Sequence, residues 1–343
     1  MKKLLNTLFV TTQGAYLFKE GETVVVKIGD EVRLQAPIHT LGGIVCFGQV
    51  SCSQFLMGFC AENNVTITFL TEYGHFLANV YGKTSGNVLL RREQYRRADD
   101  AVFSANISRV FITGKVANCR TVIKRLTRDH SEKVPLDSLE KAGRNLSYSL
   151  EQLQKESNLD VLRGIEGNSA HTYFGVFDHL IVAQKDDFKF KERSRRPPLD
   201  EVNCLLSFLY TLLTHDMRSA LETVGLDPQV GYLHRDRPGR PGLALDMIEE
   251  MRPFLADRLA LSLINREQVR KKGFSRSESG AVLMDDETRK AVLVAYQNRK
   301  QEEILHPFLK ENMPIGLLFY IQALLFSRYL RGDLDGYPVF IWK

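Results

Sequence analysis

At 343 residues the chain is too long for one small module, and a composition of 44% hydrophobic and 25% charged residues excludes global disorder and a fibrous repeat. Forty-six Lys and Arg against 41 Asp and Glu leave a net charge of +5, too small an excess to name a partner. Its placement says more. Residues 1–90 balance at six basic and six acidic side chains, whereas 91–130 hold ten basic against four acidic and 251–280 seven against three. Two such concentrations suit a polyanionic partner, with solvated helix faces as the competing reading. Five cysteines (Cys46, Cys52, Cys60, Cys119, Cys204) without a CxxC pattern argue against a disulfide framework or a structural zinc. The opening Met1-Lys2-Lys3-Leu4-Leu5 starts like a signal peptide but breaks at Asn6 with no small-residue cleavage site. The longest apolar stretch, 315–326, is interrupted by Gln322 and falls short of the roughly 18 residues a membrane helix needs. The expectation is a soluble, cytoplasmic protein without a membrane segment.

In chain order, the first part reads as short strands and turns. Ala15–Phe18 and Thr23–Val26 flank Lys19-Glu20-Gly21-Glu22 as a hairpin, Gly29-Asp30 marks the next turn, and Val65–Leu70 is a β-branched run. Ser51 is placed to cap a short helix carrying Phe55, Leu56, Phe59 and Cys60. His39 and His75 lie among strands without acidic neighbours at ligand spacing and read as ordinary polar residues. From about residue 88 helical spacing takes over, in 104–127, 139–154 and 202–223. Between these, 185–200 reads as a solvated loop containing Pro197-Pro198, and 271–288 as an irregular excursion or small hairpin. The end reads as helical up to Gly332. The fold class expected is α+β: a mainly-β domain over 1–87, then a larger all-α domain over 88–343.

Three segments could carry chemistry. In Gly164-Ile165-Glu166-Gly167, two glycines bracket a glutamate inside a helical pattern, and each interior Gly costs a helix roughly 1 kcal/mol relative to Ala. That cost suggests close approach by a backbone or a ligand beside Glu166; a helix crossing with a surface Glu is the plainer reading. In Asp227-Pro228-Gln229-Val230-Gly231-Tyr232-Leu233-His234, a turn delivers His234 to the end of an element, as a ligand, a general base or a capping group. In Leu243–Arg252, a continuous helix puts Asp246, Glu249 and Glu250 on one face, which in most amphipathic helices is merely a solvated acidic stripe. Together, one imidazole and at least two carboxylates form a mixed N/O donor set suited to Mn²⁺ or Mg²⁺. The Pro-rich basic loop 235–242, with Arg237 and Arg240, lies between His234 and the acidic helix, and a cation beside guanidinium groups suits phosphodiester chemistry.

At these residues the sequence closely resembles the CRISPR-associated integrase family, the metal-dependent DNA endonuclease and integrase that installs new spacers. The motifs are Gly-x-Glu-Gly-x-x-Ala-x-x-Tyr-Phe at 164–174, Gly-Tyr-Leu-His at 231–234 and Leu-Ala-Leu-Asp-x-x-Glu-Glu-x-Arg-Pro at 243–253, with 203–210 similar to the family's central helix. The resemblance spans the whole chain. It implies that Glu166, His234 and Glu249 coordinate a divalent metal, Mg²⁺ or Mn²⁺, and that Asp246 assists the site. It further implies that Arg252 contacts DNA phosphate and that Tyr210 lies near the scissile region. Gly242 departs from the pattern, since many relatives carry Ser there, which puts a helix cap in doubt.

The implied reaction is transesterification on double-stranded DNA: the 3′-hydroxyl of a spacer fragment attacks a phosphodiester at the edge of a repeat. The implied assembly is a homodimer formed through the β domains, two such dimers sitting on a dimer of a small ferredoxin-like partner subunit. The regions 91–130 and 251–280 would be the electrostatic footprint on DNA. A stand-alone nuclease for branched DNA in repair and a non-catalytic DNA-binding scaffold remain as alternatives.

Overall fold

The computed structural model describes residues 6–71, 76–80, 82 and 88–342; Met1–Leu5 and His75 lie outside them. The chain divides into two compact units, Met1–Gly86 and Asn87–Lys343. In the first unit, β1 (Asn6–Val10), β5 (Leu41–Phe47), β7 (Thr66–Leu70) and β8 (Phe76–Val80) form one sheet in the order β1-β5-β7-β8, the first three parallel and β8 antiparallel. A second sheet has the order β4-β3-β2-β6, from β2 (Ala15–Glu20), β3 (Thr23–Ile28), β4 (Glu31–Pro37) and β6 (Ser51–Cys52). β2 and β3 pair as the expected hairpin, turning at Gly21, whose φ of +54° falls in the left-handed region that glycine tolerates. Ile44, Cys46 and Ile67 from the first sheet, Leu17, Val24 and Val26 from the second, and Leu56 and Cys60 from α1 (Gln54–Glu62) close one apolar core. The cap of α1 is Ser53, whose Oγ accepts from the Leu56 amide at 3.2 Å, and not Ser51, which belongs to β6. Ser53 wins because its extended backbone immediately precedes the first turn, where the orphan amides point. His39 sits on a short 3₁₀ turn, Ile38–Thr40.

The second unit begins with α2 (Val88–Asp99) and α3 (Ala101–Asp129). Asp100 starts α3 by accepting from the Val102 and Phe103 amides at 2.9 and 3.1 Å, a cap typically contributing about 1 kcal/mol. α3 is the central element: Phe111, Ile112, Val116, Cys119, Val122 and Ile123 are buried, and α4 (Leu136–Lys155) and α5 (Leu159–Gly175) pack along it. α4 faces it with Leu139, Ala142, Leu146 and Leu153; of the leucines whose helical spacing the sequence shows, Leu150 is only half-buried. Residues 185–200 carry no helix or strand, and Asp200 then caps α6 (Glu201–Thr223) through the Asn203 amide at 2.7 Å.

The acidic segment is not one helix. α7 (Gly242–Met247) gives way to a 3₁₀ turn (Ile248–Glu250) and a π-helical turn (Arg252–Asp257) before α8 (Arg258–Asn265). Pro253 enforces the change, because a proline inside a helix removes an amide donor and clashes with the preceding turn. Beyond α8, β9 (Phe274–Arg276) and β10 (Val282–Met284) form the small hairpin of the 271–288 excursion, followed by α9 (Asp286–Gln301). A second hairpin, β11 (Glu303–Leu305) with β12 (Asn312–Pro314), separates α9 from α10 (Leu318–Leu330), so the end is not helical throughout. Gln322, the polar interruption of the apolar stretch, is fully buried on α10 and donates to Glu250 Oε1 at 2.9 Å and Tyr337 Oη at 2.8 Å. Among the described residues no helix is long and apolar enough to cross a membrane.

Candidate active site

Glu166 projects from the middle of α5, and its side chain is 26% exposed. Gly164 and Gly167 run within this regular helix, and a Cβ on either would meet no atom within 4 Å. The close approach expected from the two glycines is therefore absent on the protein side: they leave the flank of Glu166 open. One turn earlier, Arg163 donates from Nε to the Leu233 carbonyl at 2.9 Å and pairs with Asp160 at 2.8 Å. This contact registers α5 against the segment that carries His234.

That segment is locked from both ends. Buried Gln94 on α2 exchanges two hydrogen bonds with Asp227, at 2.7 and 2.9 Å. Downstream, the Asp246 carboxylate, fully buried on α7, accepts from the Tyr232, Leu233 and His234 amides at 2.6, 3.0 and 3.0 Å. It also stands 2.5 Å from His234 Nδ1. A carboxylate with these three donors acts as acceptor, so Nδ1 carries the hydrogen, and in the neutral ring Nε2 keeps its lone pair. A Cβ on Gly231 would lie 2.7 Å from the Gly242 carbonyl carbon, and one on Gly242 would lie 2.7 Å from the Gln229 carbonyl oxygen. Gly242 is thus a point of backbone contact; α7 begins with its amides on the Gln229 and Pro228 carbonyls and has no side-chain cap.

The three carboxylates expected on one face diverge, because the chain leaves α-helical geometry after Met247, and none is solvated. Asp246 turns to the His234 segment. Glu250 accepts from Gln322, from the Tyr337 hydroxyl at 2.7 Å and from the Phe340 amide at 2.6 Å, which fastens the C-terminal residues. Only Glu249, 3% exposed, turns toward Glu166. The two are joined by a residue that the sequence motifs do not include: Lys115 of α3, 8% exposed, hydrogen-bonds Glu166 Oε1 and lies 2.8 Å from Glu249 Oε2. The second contact is an ion pair without hydrogen-bond alignment, and Glu249 Oε2 makes no hydrogen bond among the described residues. Burial acts to raise the Glu249 carboxyl, yet Arg252 and then Lys115 hold it below the usual carboxylate range. Lys115 sits well above the usual lysine range, its burial outweighed by Glu249 and Glu166. The signal was present in the sequence: Lys115 is the only charged residue in the largely buried stretch 110–119.

Arg252, expected against DNA phosphate, points inward. Its guanidinium hydrogen-bonds Glu249 and lies 4.9 Å from the Tyr210 ring centroid. The Tyr210 ring also receives Arg193, at 5.3 Å, and its hydroxyl donates to Asp257 Oδ1 at 2.7 Å. Burial raises Asp257 to about 6 against the opposing pull of Tyr210, Tyr173 and the two arginines. Lys115 and Arg252 are therefore not part of an exposed basic footprint, although both fall within the basic regions. Arg237 is exposed and Arg240 half-buried on the Pro-rich loop. The structure brings them together with exposed Arg195 and Arg196 from the 185–200 segment. Burial and then repulsion from Arg237, Arg196 and Arg195 lower the Arg240 guanidinium, with Asp246 acting against them. None of these four guanidinium groups has an ion-pair partner among the described residues.

Among the described residues, no three carboxylate, imidazole or thiol groups stand together as a ready-made cation cage, because the Lys115 ammonium holds the space between Glu166 and Glu249. The donor set nevertheless fits a divalent ion. Two carboxylates already share one cation, one of their oxygens lacks a hydrogen bond, and the adjoining imidazole is held with Nε2 free in the manner of a carboxylate-oriented metal ligand.

Residues 8–298 match the family described as CRISPR associated protein Cas1. The chain is 56% identical over 343 residues to a CRISPR-associated endonuclease Cas1 of Chlorobaculum tepidum, covering all of both chains. Among solved structures, it superposes on a chain of a Cas6-RT-Cas1–Cas2 complex with a TM-score of 0.83 at 20% identity, covering all of this chain and 36% of that one. It superposes on a casposase bound to integration product with a TM-score of 0.82 at 21% identity, covering 98% and 94% of the two chains. A relative of this identity over the whole of both chains, with a family match over most of this one, means that the chain belongs to the Cas1 family and is a nuclease and integrase of CRISPR adaptation.

Proposed function

We propose that Glu166, His234 and Glu249 hold one divalent cation, Mg²⁺ or Mn²⁺, and that the chain uses it to join 3′-hydroxyl ends of spacer DNA to a repeat. The observation that carries this reading is the pair of carboxylates on a single shared cation beside an imidazole whose Nε2 is free. When bound, the metal supplies Lewis acidity, polarising the phosphorus centre and activating the attacking oxygen. The chain's own groups do the rest. Asp246 holds the His234 ring in one tautomer and one orientation. Arg252 neutralises Glu249 from behind. The open flank of α5 beside Gly164 and Gly167 admits the DNA backbone, and Arg195, Arg196, Arg237 and Arg240 hold its phosphates. Transesterification forms one phosphodiester as another breaks, and the departing oxygen leaves as a new 3′-hydroxyl; water as nucleophile gives hydrolysis instead.

The same reading extends to assembly and to a role in antiviral defence. A homodimer formed through the first unit is supported by β4, an edge strand with Val32 56% and Leu34 41% exposed, a surface suited to pairing. A small ferredoxin-like partner subunit is supported by the shared fold with a chain of the Cas6-RT-Cas1–Cas2 complex. The test is strand transfer of a labelled spacer fragment into a repeat target, with Mg²⁺ or Mn²⁺, with and without that subunit. Glu166→Ala and His234→Ala should each lower the rate at least about a hundredfold, more than the loss of an outer partner of a ligand. Circular dichroism and DNA retention should stay as in wild type. Wild-type integration by either folded variant would remove it from the ligand set, and transfer indifferent to the partner subunit would favour the repair nuclease.

A further inference from the structure

Lys115 poses a question that the ligand set alone does not answer. Lys115 is itself buried on α3, where its helix neighbours Phe111, Ile112, Val116 and Cys119 are each 3% exposed or less. Burying an ammonium in such surroundings is costly unless opposite charge offsets it. Here the offset comes from Glu166 and Glu249, the two carboxylates assigned to the metal. Without metal, the four charges of Glu166, Glu249, Lys115 and Arg252 sum to zero. With a divalent cation on the same oxygens and Lys115 still in place, the sum becomes +2, and the ammonium would compete with the metal for Glu166 Oε1 and Glu249 Oε2.

We propose that Lys115 is a built-in counter-cation: it holds Glu166 and Glu249 together while the site is metal-free, and it moves out when the divalent ion arrives. Removing it from the cluster leaves a net +1 and frees an ammonium beside the flank of α5 that Gly164 and Gly167 leave open. A long, unbranched lysine stem suits such a movement, and its charge is then available to an incoming phosphate. Lys115 on this reading is a positioning residue, acting through the two carboxylates. The inference rests on the assignment of Glu166 and Glu249 as ligands.

The experiment uses the full chain and Mn²⁺ alone. Lysine amines are labelled with an acylating reagent across a Mn²⁺ titration and mapped by mass spectrometry. Lys300, also buried but paired with Asp216 at 2.7 Å, serves as internal control. Labelling of Lys115 should rise about tenfold or more on Mn²⁺ binding, in the range of ordinary coupling between two binding events, while Lys300 stays protected. In parallel, Lys115→Met should bind Mn²⁺ about tenfold or more tighter by electron paramagnetic resonance, since no ion pair has to be displaced. Persistent protection of Lys115 with Mn²⁺ bound, or unchanged or weaker Mn²⁺ binding by a folded Lys115→Met, overturns the exchange. The labelling measurement is made on wild type and decides the matter even where the variant does not fold. If Mn²⁺ binding to wild type is absent, or survives Glu166→Ala, the ligand assignment itself falls and the exchange falls with it.

Discussion

On the proposed ligand assignment, Asp246 governs the site without itself holding the metal. Its carboxylate spends every lone-pair direction on the His234 segment, three backbone amides and one ring nitrogen, so its charge is buried but fully answered. Asp246→Asn turns an amide group toward donors and withdraws the acceptor that fixes the imidazole. Strand-transfer rate and Mn²⁺ affinity should both fall, by about 10- to 100-fold, the usual cost of losing the partner of a metal-ligating histidine. Unchanged Mn²⁺ affinity, measured by paramagnetic resonance, would limit Asp246 to holding the loop. Sequence spacing placed Asp246 beside Glu249 correctly in the chain, but not what it faces. A period of 3.6 assumes that the helix continues, and here it stops at Met247.

The two basic loops make the same point at the scale of elements. Residues 185–200 look like an ordinary solvated stretch, and 235–242 like a stiff basic turn. Only packing reveals that Arg195 and Arg196 repel Arg240 and that all four guanidinium groups remain without carboxylate partners among the described residues. Charge left concentrated in this way suits a polyanion, the role proposed for these loops. Replacing Arg237 and Arg240, or Arg195 and Arg196, by Gln should weaken duplex DNA binding irrespective of sequence. Each pair should lower the slope of log affinity against log salt by about 0.9 for every phosphate that is no longer neutralised. Arg252→Gln should leave that slope as it is, because its guanidinium is engaged with Glu249. Fluorescence anisotropy between low and physiological salt measures all three, and an equal slope change for Arg252 would place it on the DNA after all.

For the molecule as a whole, stability is coupled to pH through groups outside the proposed ligand set. His215 on α6 lies next in sequence to Asp216, which is held by Lys300 and by the Tyr296 hydroxyl, both at 2.7 Å. Burial holds His215 down at about 4; Asp216 opposes the shift, and Lys300 and Arg218 reinforce it. In the unfolded chain the imidazole takes its proton near pH 6.5, so between about 6.5 and 4 the unfolded state binds more protons and folding loses ground as pH falls. Relative to His215→Gln, wild type should lose about 1.4 kcal/mol of unfolding free energy per pH unit across that window. Taking the difference between the two proteins removes the opposite slope contributed by Asp257, whose folded value is raised to about 6. Urea denaturation at pH 7 and 5 reads it, and parallel pH profiles for the two proteins would mean that His215 is charged in the folded state.

The sequence by itself determined the order of the two units, the hairpin at Gly21, the long helices of the second unit and the residue types suited to a divalent cation. These follow from side-chain periodicity, turn chemistry and donor preference, all of which act over a few residues. What only the tertiary structure decided is which groups meet. It paired Asp246 with His234 and Glu250 with the C-terminal residues, and it set Lys115, fifty-one positions from Glu166, between the two carboxylates. Charges counted along the chain carry no distance, whereas buried charges are costly unless paired, so the interior selects partners that sequence separation does not show.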